Sequence, residues 1–163
     1  IIEEEKNDQI EPTTMGLGGR VKIVKNPNLP YTKWGWPIDP KGFRLALRKV
    51  YERYHLPIII TENGLGAIDK LTDDAKIHDD YRIDFLKHHL LSIKQAIEDG
   101  VEVIAYSYWS FIDILSSSNG MNKRYGLVYV DRDEFNIKSL QRIKKDSYMY
   151  YQSIIQENGS NLE

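Results

Sequence analysis

Apolar residues recur every three or four positions in three segments of the chain, a spacing that is typical of amphipathic helices. The predicted helices cover roughly residues 40–56, 80–98 and 139–157. Asp39 is a favourable N-cap residue, Pro40 suits the first helical position, and Pro57 would end the first helix. His88 and His89 in the second helix are predicted to lie on its solvated face.

Two apolar runs without alternation separate these helices: IIIT at residues 58–61 and VEVIAYSYW at residues 101–109. Continuous runs predict strands that are covered on both faces, as in a parallel sheet. GLVYVD at residues 126–131 predicts a third, short extended segment. Because a strand, a helix and a strand follow one another, the two strands should pair in parallel through a right-handed crossover. The pattern therefore predicts an α/β fold.

Candidate site residues follow the two predicted strands. Glu62 comes directly after the first strand, while Trp109 ends the second and is followed by Asp113 and Ser116. In a parallel α/β barrel the active site lies at the C-terminal ends of the strands. Glu62 is therefore a candidate catalytic carboxylate, with a loop cap or an ion-pair partner as the alternative. Trp109 is either a core residue or a platform for a ligand, and Asp113 could simply cap a loop.

The first 38 residues show neither helical nor strand spacing. Glycines and prolines that include Gly16, Gly18, Gly19, Pro27, Pro30 and Pro37 predict a loop here. The sequence thus predicts a loop-rich N-terminal segment, residues 1–38, and a regular α/β part, residues 39–163. Because so long a loop is unusual at the start of a compact domain, we expect the chain to begin within a larger fold.

Composition excludes several function classes for this chain of 163 residues. The formal net charge of −2 gives no electrostatic reason to expect nucleic acid, and no apolar run approaches the roughly 18 residues of a membrane span. The four histidines show no metal-ligand spacing, so neither a metal nor another cofactor is predicted. The lack of cysteine and of a signal peptide pattern favours the cytoplasm.

Four motifs carry a resemblance to a known family. They are GWPIDPKGFRLAL at 35–47, TENG at 61–64, YWSFID at 108–113 and KRYGLVYVD at 123–131. In this order they resemble glycoside hydrolase family 1. The resemblance implies that the chain is the C-terminal part of a (β/α)8 TIM barrel, with its two strands as the seventh and eighth.

The resemblance also implies roles for individual residues. Glu62 of TENG would be the nucleophile of a retaining glycosidase, and Trp109 would lie under the sugar ring. The family's acid/base glutamate lies in an Asn-Glu-Pro motif that does not occur in this sequence. We therefore expect the chain alone to be catalytically silent and weakly stable. Its partner would be the missing N-terminal part of the barrel or a second copy of itself.

The loop after Trp109 bears on the substrate. Family members that act on plain sugars have Glu and Trp where this chain has Ser116 and Ser117, whereas Ser116, Lys123 and Tyr125 match the spacing of the 6-phosphoglycosidase subgroup. There, these three residue types hold the phosphate on carbon 6, since all are hydrogen-bond donors. A small residue at Ser117 favours glucosides over galactosides. The alternative is a solvated Lys123-Arg124 pair and a packed Tyr125.

Three functions are compatible with these residues. The first is hydrolysis of 6-phospho-β-D-glucosides, such as cellobiose or aryl-glucoside 6-phosphates. The second is a silent fragment that binds a sugar phosphate or docks on a partner chain. The third is a β-glucosidase for unphosphorylated sugars, which Ser116 in place of glutamate argues against.

Overall fold

The computed structural model describes residues 24–162 and divides the chain into two compact units between Asp39 and Pro40. In the first unit, residues 24–39 form turns and an isolated antiparallel bridge between Tyr31 and Pro37. The N–H of Thr32 donates to the carbonyl oxygen of Trp36 at 2.8 Å within this bridge. Most of the predicted loop-rich segment, residues 1–23, lies outside the described residues.

The second unit, described from residue 40 to residue 162, has an α/β fold. Its elements are α1 Pro40–Tyr54, β1 Ile58–Asn63, α2 Asp80–Glu98, β2 Val103–Tyr108, β3 Val128–Val130, β4 Arg142–Lys144 and α3 Asp146–Gln156. The predicted positions of the first two helices and of all three extended segments are confirmed. Within residues 24–162, no helix is both long and apolar enough to cross a membrane.

The prediction for the last helix was wrong at its N-terminal end, because strand β4 occupies part of residues 139–145. β4 pairs with β3 in an antiparallel hairpin in which Tyr129 lies opposite Ile143. Leu140 has a φ of +55° and so cannot continue a right-handed helix. Its N–H donates to the carbonyl oxygen of Asp131 at 3.0 Å, which closes the loop that leads into β4.

Strands β1 and β2 pair in parallel and are connected through α2, as the sequence predicts. Ile58 lies opposite Val103, and Ile60 lies opposite Tyr106. The pairing continues to the end of both strands, because the N–H of Trp109 donates to the carbonyl oxygen of Asn63 at 2.9 Å. The C-terminal ends of the two strands, where the candidate residues lie, are therefore adjacent.

The expectation that both faces of this sheet are covered is not met by residues 24–162. Ile60 of β1 is buried, but Ile59 is 56% exposed and Ile104 of β2 is 59% exposed. Alternate residues of a strand point to opposite faces, so the helices cover one face of the two-stranded sheet and leave the other open.

The core between the sheet and the helices includes one histidine. Leu86 and Ala96 of α2 are fully buried there. His89, which the sequence predicts to be solvated, is only 4% exposed, with its Nδ1 2.8 Å from the carbonyl oxygen of Phe85. Its ring stacks on Phe85 with centroids 3.8 Å apart, so it is a core residue. His88 is exposed, as predicted.

Candidate active site

Glu62 is the second-to-last residue of β1. The sequence predicts instead that the strand ends just before it, at residue 61. Its side chain is exposed, and no hydrogen bond or ion pair engages its carboxylate within residues 24–162. The next residue is fixed by β2, since Tyr106 donates its hydroxyl hydrogen to Asn63 Oδ1 at 3.0 Å. The strand thus presents an accessible carboxylate from a backbone that is held on its C-terminal side.

The turn after Glu62 passes very close to Trp109. A β-carbon at Gly64 would lie 1.7 Å from the carbonyl oxygen of Trp109, so only glycine fits there. The Trp109 side chain is 38% exposed and therefore available as a surface for a ligand. The peptide bond between Trp109 and Ser110 is cis. Glu62 and Trp109 therefore end adjacent strands, with Gly64 in contact with both ends.

Backbone hydrogen bonds join the loop after β1 to the loop after β2. Ala67 and Arg124 form a reciprocal antiparallel bridge with N–H to oxygen distances of 2.9 and 2.8 Å. Beside this bridge, a β-carbon at Gly66 would lie 2.5 Å from Cε of Lys123 and 3.0 Å from Cε1 of Tyr125. Lys123 and Tyr125 are therefore packed against the loop that follows β1.

Ser116, Lys123 and Tyr125, the polar trio, are brought together and buried. The hydroxyl oxygens of Ser116 and Tyr125 are 3.4 Å apart, and Nζ of Lys123 lies 5.4 Å from the ring centroid of Tyr125. The alternative of a solvated basic pair is wrong, because Lys123 is 2% and Arg124 is 5% exposed. Ser117, in contrast, is exposed.

Contacts within the loop fix the position of Ser116. Ser116 and Gly120 exchange two backbone hydrogen bonds of 3.1 Å each. The carboxylate of Glu134 accepts the N–H of Met121 at 2.5 Å and fills the space where a β-carbon of Gly120 would be. Gly120 also has a φ of +59°, a left-handed backbone conformation that favours glycine. The sequence alone gave no reason to expect a role for Glu134.

A buried charge cluster lies behind the polar trio and was missed by sequence reasoning. Its members are Asp69, Asp79, Arg82, Asp113, Arg124 and Lys145, all buried. Three carboxylates and three cations give the cluster no net charge, which is how charged groups are tolerated in an interior. One signal was available in the sequence. Arg82 precedes Leu86 and Leu90 at intervals of four, so it lies on the apolar stripe of α2.

Arg82 joins the start of α2 to both loops. Its guanidinium donates to Asp79 at 2.8 Å, to Asp69 at 3.1 Å and to the carbonyl oxygen of Arg124 at 3.1 Å. Asp79 in turn accepts the N–H and the hydroxyl hydrogen of Ser147 at 2.9 and 2.6 Å. Asp79, which precedes α2, therefore accepts hydrogen bonds from the first turn of α3.

Lys145 connects the cluster to the loop after β2. Its ammonium group contacts Asp69 and donates to Asp113 at 2.8 Å. Burial lowers the pKa of Lys145, the nearby charge of Arg82 adds to this, and the two carboxylates oppose it. Burial acts to raise the pKa of Asp69, but Arg82 and Lys145 outweigh it and hold that pKa below its ordinary value.

Asp113 has a larger role than the loop cap considered from the sequence. Its Oδ2 accepts from Arg124 at 2.8 Å, and its Oδ1 accepts the N–H of Gly126 at 2.9 Å in addition to its bond from Lys145. Among residues 24–162, no group of three or more histidines and carboxylates is arranged to hold a metal ion.

The sequence model described as Glycosyl hydrolase family 1 matches residues 1–160 of the chain. The chain belongs to glycosyl hydrolase family 1. An aryl-phospho-beta-D-glucosidase of Bacillus subtilis, BglC, is 52% identical over 90% of this chain and 31% of its own length. A 6-phospho-beta-glucosidase of Clostridium longisporum is 46% identical over 94% of this chain and 33% of its own length.

A solved structure gives the same family relationship. The family 1 β-glucosidase of Thermotoga maritima in complex with isofagomine lactam superposes with a TM-score of 0.78 and 38% identity. The match covers 85% of this chain and 30% of that one. This family 1 chain therefore spans about a third of the length of the proteins it matches.

Proposed function

We propose that this family 1 chain supplies the nucleophile and the phosphate-binding loop of a retaining glycosidase that hydrolyses 6-phospho-β-D-glucosides. The observation that carries the proposal is the convergence of Ser116, Lys123 and Tyr125 in one buried group that packs on Gly66, four residues after Glu62. The names of relatives support it. BglC and the C. longisporum enzyme, both phospho-β-glucosidases by name, are 52% and 46% identical to this chain, whereas β-glucosidase A of T. maritima is 40% identical.

Glu62 and Trp109 would do the chemistry at the anomeric carbon. A carboxylate oxygen of Glu62 attacks this carbon as the bond to the leaving oxygen breaks, and a protonated carboxyl about 5 Å away gives the leaving oxygen its proton. Water, deprotonated by the same second carboxyl, then attacks the glycosyl-enzyme ester and releases Glu62. The exposed face of Trp109 would lie under the sugar ring. The turn at Gly64 keeps the two strand ends in register for this arrangement.

The polar trio would recognise the phosphate on carbon 6. The ammonium group of Lys123 and the hydroxyls of Ser116 and Tyr125 are donors, whereas a phosphate dianion carries only acceptor oxygens. Hydrogen bonds of this charge-assisted kind contribute roughly 1.5–3 kcal/mol each. Aryl-glucoside or cellobiose 6-phosphates would fit this arrangement.

The remaining strands of a (β/α)8 barrel would complete the site. In this proposal β1 and β2 are the seventh and eighth strands, and the rest of the barrel covers the open face at Ile59 and Ile104. A second apolar surface supports the same arrangement. It is a cavity of about 350 Å³ lined mainly by aromatic and aliphatic side chains: Tyr108, Phe111, Leu127, Tyr148, Tyr151, Gln152, Ile155 and Gln156. The complete enzyme is this chain with the segment that supplies the second carboxyl, on one polypeptide or two.

The test is Lys123→Ala in the complete enzyme. The quantity to measure is kcat/KM for p-nitrophenyl β-D-glucoside 6-phosphate divided by kcat/KM for the plain glucoside. We expect this ratio to fall about 10- to 100-fold, the equivalent of one charge-assisted hydrogen bond. Lys94→Ala on the exposed face of α2 is the matched control and should leave the ratio unchanged. Equal losses for both substrates would exclude the phosphate site and favour an unphosphorylated substrate.

A further inference from the structure

Arg124 lies between two members of the polar trio in the chain, yet its side chain points elsewhere. We infer that Arg124, held by Asp113, is a positioning residue that sets the selectivity of the loop for phosphorylated over plain glucosides. The inference rests on the proposed function, because it concerns the same phosphate site. It assigns a role to a side chain that itself touches neither the sugar nor the phosphate.

The guanidinium of Arg124 is fixed on several sides. It donates to Asp113 Oδ2 at 2.8 Å and to the carbonyl oxygen of Val130 at 2.9 Å. It also donates to the carbonyl oxygen of Arg132, and its central carbon lies 4.1 Å from the ring centroid of Tyr129. A planar, forked cation with this many partners adopts one rotamer, which a lysine could not reproduce.

The backbone of Arg124 is fixed as firmly as its side chain. Its N–H and carbonyl oxygen bond to Ala67, and its carbonyl oxygen also accepts from Arg82 at 3.1 Å. Two residues later, the N–H of Gly126 donates to Asp113 at 2.9 Å. A β-carbon at Gly126 would lie 2.2 Å from the backbone nitrogen of Asp113, so the backbones at residues 113 and 126 can approach this closely only because residue 126 is glycine.

The contacts of Arg124 with Asp113 and Ala67, together with the bond from Gly126 to Asp113, form a clamp around Arg124. This clamp determines where Lys123 and Tyr125 can lie. In an extended segment, neighbouring side chains point to opposite sides, and both residues flanking Arg124 pack on Gly66 while Arg124 reaches Asp113. A rotation of the backbone at Arg124 would therefore move Lys123 and Tyr125 away from Gly66 together. Because a displacement of about 1 Å in a positioned group can reduce a rate on the order of 100-fold, small losses of the clamp should be measurable.

The cluster also allows a variant that keeps its charge balance. Asp113 has a second cation, Lys145, at 2.8 Å. Arg124→Lys keeps the positive charge but cannot span Asp113, Val130 and the ring of Tyr129 at once. The substitution thus loosens the geometry without leaving a carboxylate unpaired.

The experiment compares Arg124→Lys with Arg44→Lys in the complete enzyme. Arg44 is the matched control because it makes a two-pronged pair with Asp99, at 2.7 and 2.6 Å, at the end of α2 opposite to the site. We expect Arg124→Lys to lower the phosphorylated-to-plain kcat/KM ratio roughly tenfold, through a higher KM for the phosphorylated substrate. Arg44→Lys should leave the ratio as it is.

The outcomes separate this inference from the proposed function. If Lys123→Ala lowers the ratio but Arg124→Lys does not, the phosphate site stands and the positioning role is wrong. If Arg124→Lys lowers kcat/KM equally for both substrates, Arg124 is only structural, which also overturns the inference. If Lys123→Ala leaves the ratio unchanged, the proposed function itself fails. Should Arg124→Lys not fold, Tyr129→Leu decides by the same ratio, because it removes the ring beside the Arg124 guanidinium and leaves every charge of the cluster in place.

Discussion

Gly64 lies directly against Trp109, whose carbonyl oxygen is 1.7 Å from the position that a β-carbon of residue 64 would occupy. Gly64→Ala must therefore separate the ends of β1 and β2. In the complete enzyme we expect kcat/KM to fall on the order of 100-fold, because Glu62 and Trp109 no longer lie in register. Steady-state kinetics with the phosphorylated aryl glucoside measures this loss.

Gly100→Ala is the control for this substitution. Gly100 has a φ of +93° but open space around its α-carbon, at the other end of β2. An alanine there is strained and should cost about 1 kcal/mol of stability without a change in kcat. If both glycine variants reduced kcat equally, the close approach at Trp109 would have no catalytic meaning.

Glu62→Gln should abolish turnover in the complete enzyme. The amide keeps the shape of the side chain but is not a nucleophile, so we expect kcat to fall at least about 10³-fold while the substrate still binds. Glu102→Gln, an exposed glutamate just before β2, is the control and should be fully active. Turnover near the wild-type rate in the Glu62 variant would remove Glu62 from the mechanism.

The 163-residue chain by itself should not hydrolyse the phosphorylated aryl glucoside. A retaining mechanism needs two carboxyl groups, and the sequence contains no Asn-Glu-Pro motif to supply the second. A release assay on the purified chain, with the Glu62→Gln chain as a blank for contaminating activity, measures this directly. A rate above that blank would mean that a second catalytic carboxyl lies within these residues.

Lys145→Met should destabilise the protein strongly. Lys145 is fully buried between Asp69 and Asp113, and loss of one partner from a buried ion pair costs roughly 3–5 kcal/mol. Lys70→Met is the matched control, since Lys70 is exposed and its loss should change the free energy of unfolding by less than about 0.5 kcal/mol. Urea unfolding of the complete enzyme separates the two, and similar midpoints would contradict the role given to the charge cluster.

His78 should give the protein a stability that depends on pH. Its Nδ1 lies 2.6 Å from Asp146, and this hydrogen bond raises the pKa of His78 above its ordinary value. A raised pKa in the folded state stabilises below the unfolded pKa of about 6.5 and loses this effect as pH rises through the folded value.

The measurement is the difference in urea midpoint between wild type and His78→Gln. This difference should be largest below the unfolded pKa of about 6.5 and should shrink as pH rises through the raised pKa of folded His78. His88→Gln is the control, because His88 contacts a backbone carbonyl instead of a carboxylate. If the difference in urea midpoint did not change with pH, the contact of His78 with Asp146 would not be an interaction between charged groups.

Much of the fold was predictable because its determinants are local. The start of α1 at Pro40 and the extent of α2 follow from cap residues and apolar spacing. Strand β4 was missed because it has only three residues, Arg142–Lys144, and pairs through a loop whose backbone conformation the sequence does not specify. The bare face at Ile59 was missed because a continuous apolar run does not say which elements cover it.

The candidate site was predictable only in part. The position of Glu62 and Trp109 at adjacent strand ends follows from the parallel order of strand, helix and strand. The convergence of Lys123 with Tyr125 depends on the bridge from Ala67 to Arg124, which joins residues far apart in the chain. The charge cluster is similarly non-local, since Asp69 and Lys145 are 76 residues apart, and charged residues are ordinarily expected at the surface.

The clamp around Arg124 has a consequence for loop grafting between family members. In this chain the side chains of Ser116, Lys123 and Tyr125 depend for their positions on neighbouring residues, so a graft of these three donors alone would omit the contacts that position them. Asp113, Arg124 and the glycines at 66 and 126 should be transferred with the donors, because Gly66 gives Lys123 and Tyr125 their space and Asp113 accepts from both Arg124 and Gly126. We therefore expect a loop graft to change substrate preference only when the whole set is transferred together.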